Sequence, residues 1–262
     1  MSAAAPVSDD EVVERAEAIA ACCRRLHARG LLAGSEGNCS ERLRDGSLLV
    51  TASGIDKATI GSAQVIRCHA DGTVHHADGG RATTGEALRP SSEVLMHLSI
   101  YAARRDVGAI VHAHPPTATG FASAGRTVRA DVLPEVPVII GPVALVPYGR
   151  PGTVALSEAI RPFVEAHQVF LLANHGVTAV GRTLTDATTR LESVEQAARI
   201  LLAAELLGGP RELPVGEAEY LAALWRRLNP PPASDAGTAT GITPAPSGAL
   251  TYSGQQETDA LS

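Results

Sequence analysis

Three histidines and one glutamate are the residues of this sequence whose types and positions could do chemistry together. His112 and His114 lie two apart in the apolar run VGAIVHAH, which predicts a buried strand, and alternate residues of a strand face the same side. Two imidazoles spaced about 6–7 Å along one face can bind one cation. Such a pair also occurs as ordinary polar residues at a strand end, so the pair alone leaves both interpretations open.

His175 favours the metal interpretation. It follows the apolar run VFLLAN and precedes Gly176, which places it at the end of another predicted buried strand. Three neutral imidazoles without a cysteine are typical of a catalytic metal site, because a fourth coordination position stays free for substrate. Zinc is the first choice of metal, while manganese, cobalt and iron stay open because histidine suits several divalent ions.

Glu93 is the candidate for proton transfer. It lies in the first turn of the helix predicted over PSSEVLMHLSIYAARR. A glutamate at such a position often does no more than interact with the helix dipole. Beside an open metal site, however, a carboxylate is also suited to act as general acid or base. We therefore predict a metal site of His112, His114 and His175 with Glu93 as the catalytic group.

Three further segments have the composition of an anion site: Gly37–Asn38, Ser53–Gly54 and Ser91–Ser92. Each offers backbone amides or short polar side chains, and such groups bind phosphate in turns and at helix N-termini without a lysine. Each segment taken alone is more often a turn or a helix cap. Taken together they favour a phosphate-binding site.

The composition limits the possible functions. A net charge of −6 and a pI near 5.8, with scattered basic residues, argue against a nucleic-acid surface. No apolar run approaches the roughly 20 residues of a membrane span, and the N-terminal residues do not resemble a signal peptide. The four cysteines lack the spacing of a metal or disulfide framework. We expect a cytoplasmic protein without a nucleic-acid or membrane partner.

Strands and helices are interleaved along the chain. Ser8 and Glu11 predict the start of a first helix that Gly30 can close, and Asp45–Gly46 and Asp71–Gly72 predict hairpin turns. The stretch GSEGNCSERL is interpreted as turn-rich. Short runs that predict strands are SLLVTA, QVIRCHA, VGAIVHAH, VALVPY and QVFLLA. Because these strands are too many and too short for a plain doubly wound fold, we predict a mixed sheet covered by helices.

The composition changes near the C-terminus. The sequence after about Asn229 is rich in Pro, Ser, Thr, Ala and Gly and has almost no hydrophobic periodicity. Such sequence buries too little apolar surface to offset its ordering entropy. We therefore predict a catalytic domain over residues 1–229 and a disordered tail over residues 230–262.

Six motifs in this order resemble the class II aldolase/adducin family: GSEGNCSERL, TASGIDK, RPSSEVLMHLSIY, AIVHAHPPTAT, VPYGRPGT and LLANHG. The resemblance covers roughly residues 8–225 and is closest in pattern to L-fuculose-1-phosphate aldolase. It implies an αβα fold around a central, mainly antiparallel sheet flanked by helices. It also implies a homotetramer with sites at subunit interfaces.

The resemblance also implies roles for particular residues. Zinc would bind His112, His114 and His175, and Glu93 would be the catalytic acid/base. A substrate phosphate would bind at the family positions occupied by Asn38, Ser53, Gly54, Ser91 and Ser92. The implied reaction breaks the C3–C4 bond of a small phosphorylated ketose, which releases an aldehyde and leaves dihydroxyacetone phosphate.

Two departures from the family pattern bear on the substrate. The L-fuculose-1-phosphate aldolases use a tyrosine before the VPYGRPGT motif, and this chain has none in ADVLPEVPVIIG. They use another near the C-terminus, where neither Tyr220 nor Tyr252 is convincingly in register. The family's epimerases have aspartate at the position of Glu93, which weighs against epimerisation.

Three functions follow from the resemblance. The first is aldol cleavage of a ketose 1-phosphate of the fuculose, ribulose or 5-deoxyribulose type. The second uses the same metal and enolate to decarboxylate a 3-oxo-tetronate phosphate or to dehydrate methylthioribulose phosphate. The third is a non-catalytic scaffold like the adducin head domain, which loss of the histidines would indicate; all three histidines are present.

Overall fold

The computed structural model describes residues 7–69, 73–74 and 88–229. The chain divides into two compact units, Met1–Pro230 and Pro231–Ser262, and every described residue lies in the first. The tail predicted over residues 230–262 and the hairpin turn predicted at Asp71–Gly72 lie outside the described residues.

Six α-helices and seven strands make up the described part of the chain. The helices are α1 Asp9–Ala28, α2 Val94–Ala103, α3 Pro116–Ser123, α4 Val154–Ile160, α5 Leu184–Leu206 and α6 Glu217–Leu228. The strands are β1 Asn38–Arg42, β2 Leu48–Thr51, β3 Val65–Cys68, β4 Ala109–Ala113, β5 Val143–Val146, β6 Val169–Leu172 and β7 Gly176–Gly181. Short 3₁₀ turns cover Ser62–Gln64 and Arg161–Phe163, and a π-helical turn covers Val136–Ile140.

The strands form one sheet in the order β3-β2-β1-β4-β7-β6-β5. Every neighbouring pair is antiparallel except β5 with β6. Alternate residues of each strand enter two separate apolar cores, one beneath α1, α3 and α5 and the other beneath α2 and α4. In β4, for example, Val111 faces the first core and Ile110 the second. The predicted three-layer fold with a mainly antiparallel sheet is confirmed.

The interpretation of GSEGNCSERL as turn-rich was wrong for its second half, because Asn38–Arg42 is strand β1. Strand β7 also escaped prediction, since GVTAVG contains two glycines and little periodicity. Both strands are nearly or fully buried because each has a hydrogen-bonded neighbour on both edges and helices on both faces. Tertiary contacts therefore outweigh their poor intrinsic strand propensity.

Several local predictions are confirmed. Ser8 caps α1 by accepting a hydrogen bond from the Glu11 amide, and Gly30 follows the helix end with a φ of 70°. The Asp45–Gly46 turn joins the antiparallel strands β1 and β2. All four cysteines are free and buried. Within the described ranges, no helix combines the length and apolarity that a membrane span needs.

A capping box at the start of α5 gives a test of the fold that leaves the site untouched. Thr183 Oγ1 accepts from the Asp186 amide, and the Asp186 carboxylate accepts from the Thr183 amide, both at 3.1 Å. Replacing Thr183 with Ala removes the side-chain acceptor, so the free energy of unfolding should fall by about 1 kcal/mol. Urea unfolding measures this loss. Thr189→Ala, on the exposed face of the same helix, is the control and should change stability by less than about 0.5 kcal/mol.

Candidate metal centre

Two adjacent strands and the turn that joins β6 to β7 bring the three histidines together. His112 lies in β4 directly opposite Thr178 of β7, and His175 lies in the β6–β7 turn after Asn174, whose φ is 55°. Strand β4 ends at Ala113, so His114 follows the strand rather than lying on it as predicted. The ring centroids of the three imidazoles are nevertheless only 4.8–5.2 Å apart. The predicted triad is assembled.

Hydrogen-bond partners define which nitrogen is free in the neutral rings of His112 and His114. His112 Nδ1 lies 3.0 Å from the carbonyl oxygen of Val177, which can only accept, so Nδ1 carries the proton and Nε2 carries the lone pair. His114 Nδ1 lies 3.1 Å from the Glu36 carboxylate, which assigns the same tautomer to His114. The two Nε2 atoms are 3.2 Å apart. Two lone pairs therefore face each other at a distance that is favourable only with a positive charge beside them.

The Glu93 carboxylate lies beside the inner nitrogens of two of these histidines. Its Oε2 lies 3.1 Å from His112 Nε2, its Oε1 lies 3.1 Å from His175 Nε2, and Asn38 Nδ2 donates to Oε2 at 2.9 Å. Burial raises the pKa of the Glu93 carboxyl, but the charge and hydrogen bonds that His112 and His175 supply in their protonated forms outweigh burial and hold that pKa well below its usual value. Glu93 is the N-cap residue of α2 rather than part of its first turn as predicted, because the helix begins at Val94.

These groups fit a divalent metal. The candidate ligand atoms of the three histidines lie within 4.8 Å of one another, and His112 is fully buried. The side chains that converge there present lone pairs, and nitrogen lone pairs with a carboxylate are a common ligand set of divalent transition metals. The triad could hold a metal ion with Glu93 beside it.

The predicted phosphate-site residues lie around the same end of the sheet. Asn38 begins β1 opposite His112 and is buried, with no partner within the described residues for its Oδ1. The Ser91 amide donates to the Thr51 carbonyl and the Ser53 amide donates to the Arg89 carbonyl, so these two segments run side by side. Ser53, Gly54 and Ser92 are exposed. The structure thus gathers the three predicted segments at one edge of the triad.

Sequence reasoning missed two residues around the centre. Glu36 bonds to His114, and the only sequence signal was its position just before Gly37–Asn38. His97 follows Glu93 by one helical turn on α2, a spacing that places two side chains on the same helix face. Its Nδ1 lies 2.7 Å from Ser40 Oγ, which lies 2.9 Å from the Tyr101 hydroxyl. Burial lowers the pKa of His97 to about 3.

Comparison with known proteins agrees with this geometry. Residues 17–202 match the family described as class II aldolase and adducin N-terminal domain. A 5-deoxy-D-ribulose 1-phosphate aldolase of Bacillus thuringiensis is 34% identical over 211 residues, which are 79% of this chain and 92% of that protein. A 3-oxo-tetronate 4-phosphate decarboxylase of Escherichia coli is 32% identical over 177 residues, 66% of this chain and 79% of that protein.

A solved structure of an L-fuculose 1-phosphate aldolase superposes with a TM-score of 0.71 at 30% identity, over 86% of this chain and all of that one. The chain therefore belongs to the class II aldolase and adducin family. Its aldolase relatives make it an enzyme of the lyase class, as the sequence predicts.

Gly176 offers a test of the triad geometry. A side-chain carbon at this position would lie 2.4 Å from His114 Cδ2 and 2.7 Å from the Ala113 carbonyl oxygen. Gly176→Ala should therefore displace the His114 ring and weaken metal binding by roughly 10-fold or more, the size of effect expected when a ligand loses its supporting geometry. Titration with a competing chelator measures the affinity. Gly120→Ala, in α3 with open space around it, should leave metal affinity unchanged.

His97 makes stability depend on pH. The unfolded chain takes up a proton near the ordinary pKa of 6.5, while the folded chain resists until about 3, so stability falls as pH drops through this window. The contribution reaches about 1.4 kcal/mol for each pH unit. Urea unfolding of metal-free protein should show a shallower pH dependence for His97→Gln than for the wild type. Parallel curves would contradict a buried neutral His97.

Proposed function

We propose that the protein is a metal-dependent aldolase that reversibly cleaves a ketose 1-phosphate to dihydroxyacetone phosphate and an aldehyde. The substrate would be of the fuculose, ribulose or 5-deoxyribulose type. The observation that carries the proposal is the convergence of the triad and the Glu93 carboxylate: the Nε2 atoms of His112 and His175 each lie 3.1 Å from that carboxylate, and His114 Nε2 lies 3.2 Å from His112 Nε2. This arrangement places a site for a Lewis acid beside a group that can move a proton.

The similar proteins support the interpretation of this site as that of an aldolase. The Bacillus thuringiensis aldolase aligns over nearly its whole length, and the solved L-fuculose 1-phosphate aldolase is covered completely. Both of these relatives are aldolases of a phosphorylated ketose, and breaking a carbon–carbon bond is a reaction that a metal beside a carboxylate can serve. We propose zinc as the metal, a homotetramer as the assembly and a cytoplasmic location, in keeping with the resemblance.

The chain's own residues would act as follows. His112, His114 and His175 would hold a divalent ion, which would supply a Lewis acid for the substrate carbonyl. Glu93 takes the proton of the C4 hydroxyl, the C3–C4 bond breaks as the aldehyde carbonyl forms, and the electron pair passes to C3. Glu93 then returns the proton to C3. Asn38 holds the carboxylate in place through its 2.9 Å hydrogen bond.

The phosphate would lie against the segments at the edge of the triad. Ser53, Gly54 and Ser92 present exposed polar groups there, and Ser91 and Asn38 lie beneath them. The Ser91 hydroxyl already accepts from the Glu93 amide at 3.3 Å, so the proposed phosphate site and the catalytic carboxylate share one short segment. Phosphate binding would thus fix the substrate close to Glu93.

A second candidate is decarboxylation of a 3-oxo-tetronate 4-phosphate. The Escherichia coli relative with that activity is 32% identical to this chain. Loss of carbon dioxide next to a ketone leaves an electron pair on the same carbon as aldol cleavage does, so the same centre could serve both. The segment ADVLPEVPVIIG also has no tyrosine where the L-fuculose-1-phosphate aldolases that this chain resembles use one, so the resemblance to those aldolases is incomplete at this point.

Assays in both directions separate the two candidates. Purified protein is analysed for bound metal and for mass in solution, then incubated with dihydroxyacetone phosphate and a panel of aldehydes. Parallel reactions contain fuculose 1-phosphate or 3-oxo-tetronate 4-phosphate. The aldolase proposal expects new carbon–carbon bonds or release of an aldehyde. Metal-loaded protein that turns over in neither aldol direction but releases carbon dioxide would establish the second candidate instead.

Glu93→Gln tests the proposed acid/base. The amide keeps the size of the side chain but cannot exchange the proton, so turnover should fall by about 10²–10⁴-fold. Metal content, measured by atomic absorption, should stay near that of the wild type. Loss of the metal along with activity would instead make Glu93 a ligand. Glu165→Gln, an exposed glutamate outside the centre, should keep full activity.

A further inference from the structure

A single loop, Gly34–Gly37, presents a carboxylate to the outer side of the triad. Glu36 Oε2 lies 3.1 Å from His114 Nδ1. The outer nitrogen of His112 instead meets the Val177 carbonyl and the Thr178 hydroxyl, each at 3.0 Å, and that of His175 is buried without a hydrogen-bond partner in the part of the chain that the structure describes. Glu36 is therefore the one charged group among the described residues that bonds to an outer nitrogen of the triad.

The Gly34–Gly37 loop is held from one side by Lys57. The Lys57 amide donates to the Gly34 carbonyl at 2.8 Å, and its ammonium donates to the carbonyls of Ser35 at 2.9 Å and Ile55 at 2.8 Å. The Lys57 residue is only 1% exposed, and no described carboxylate lies within 4.0 Å of its ammonium. One buried cation thus ties the loop to the turn that carries Ser53 and Gly54.

The other side of the loop packs directly on strand β4. Gly37 has a φ of 68°, and a side-chain carbon there would lie 2.6 Å from the His112 carbonyl oxygen. Only glycine allows this approach of backbone to backbone. The loop that carries Glu36 is therefore fixed between the buried Lys57 ammonium and the strand of the metal site, although the Glu36 side chain itself is exposed.

We propose that Glu36 is a positioning residue for the metal, holding His114 with its proton on Nδ1 and its Nε2 lone pair directed to the ion. The inference rests on the proposed function, since it assumes that the triad binds a metal. A carboxylate on the outer nitrogen of a histidine ligand fixes the tautomer and makes the ring a stronger donor. Glu36 and Glu93 together also balance the charge of a divalent ion.

Metal affinity is the direct test. Glu36→Ala and Glu36→Gln are compared with the wild type by competition for zinc against a chromophoric chelator. Glu36→Ala should weaken binding by about 10–100-fold, and Glu36→Gln by less, because the amide oxygen still accepts from Nδ1. Asp56→Asn is the matched control, since it removes an exposed charge from the neighbouring turn, where the Asp56 carboxylate accepts from the Ala58 amide and not from a histidine of the triad. Its affinity should stay within about twofold of wild type.

A spectroscopic readout separates positioning of His114 from a general loss of charge. In histidine-labelled, zinc-loaded protein, long-range proton–nitrogen NMR should show the His114 proton on Nδ1 in the wild type and in Asp56→Asn. The same signals should be broadened or shifted in Glu36→Ala. Unchanged His114 signals in Glu36→Ala would overturn the proposal, whatever the affinity of that variant.

Variants of Lys57 provide a second, independent test of the proposal. Lys57→Met releases the loop, so it should also weaken zinc binding, and the Glu36→Ala/Lys57→Met double variant should bind no more weakly than the weaker single variant. Fully additive losses would show that the two residues do not act through one loop and would overturn that part of the proposal. If Lys57→Met fails to fold, the exposed Glu36 variants still decide the question.

The two proposals can fail separately. A wild-type chain that binds no divalent metal would overturn the proposed function and the role of Glu36 with it. A wild-type chain that binds metal, with Glu36→Ala binding equally tightly, would overturn the role of Glu36 alone.

Discussion

Lone-pair crowding is the constraint on which the rest of this structure depends. Three imidazole nitrogens and a carboxylate converge on one small volume, with distances of 3.1–3.2 Å between the closest pairs. With neither a metal ion nor a proton between them, these electron pairs repel one another, so the surrounding fold must hold them in place against that repulsion. The hydrogen bonds from Asn38 to Glu93 and from His112 to the Val177 carbonyl do this locally.

The order of the strands explains what holds the histidines and Glu93 so close together. Strand β4 carries His112 and runs between β1 and β7. Strand β1 places Asn38 opposite His112. Strand β7 begins directly after His175. The even-numbered residues of β4 face α2, and Glu93 lies at the start of that helix. Thr178 links the layers, because its hydroxyl contacts both His112 Nδ1 and the sulfur of Met96 on α2.

Much of this arrangement could be predicted from the sequence, because apolar runs mark buried strands and the residues that follow them gather at sheet ends. That reasoning located His112 and His175 and gave Glu93 a place near a helix start. It could not find β1, whose buried residues Asn38, Ser40 and Glu41 are polar and are held in the sheet by neighbours distant in sequence. The contact of Glu36 with His114 spans 78 positions and depends on a loop that Lys57 and Gly37 fix, so no local pattern could reveal it.

Strands β4 and β7 lie inside the sheet, and this position affects which parts of the protein open to solvent. Central strands, paired on both edges and covered on both faces, open to solvent only in large unfolding events, whereas margins and loops open in small, frequent ones. Of the triad, His112 lies on such a strand and should therefore belong to the slowly exchanging part of the fold. Strands β3 and β5, by contrast, form the two edges of the sheet and have one strand neighbour each among the described residues. Edges and loops can therefore rearrange, or change over evolution, while the strand that carries His112 stays in place.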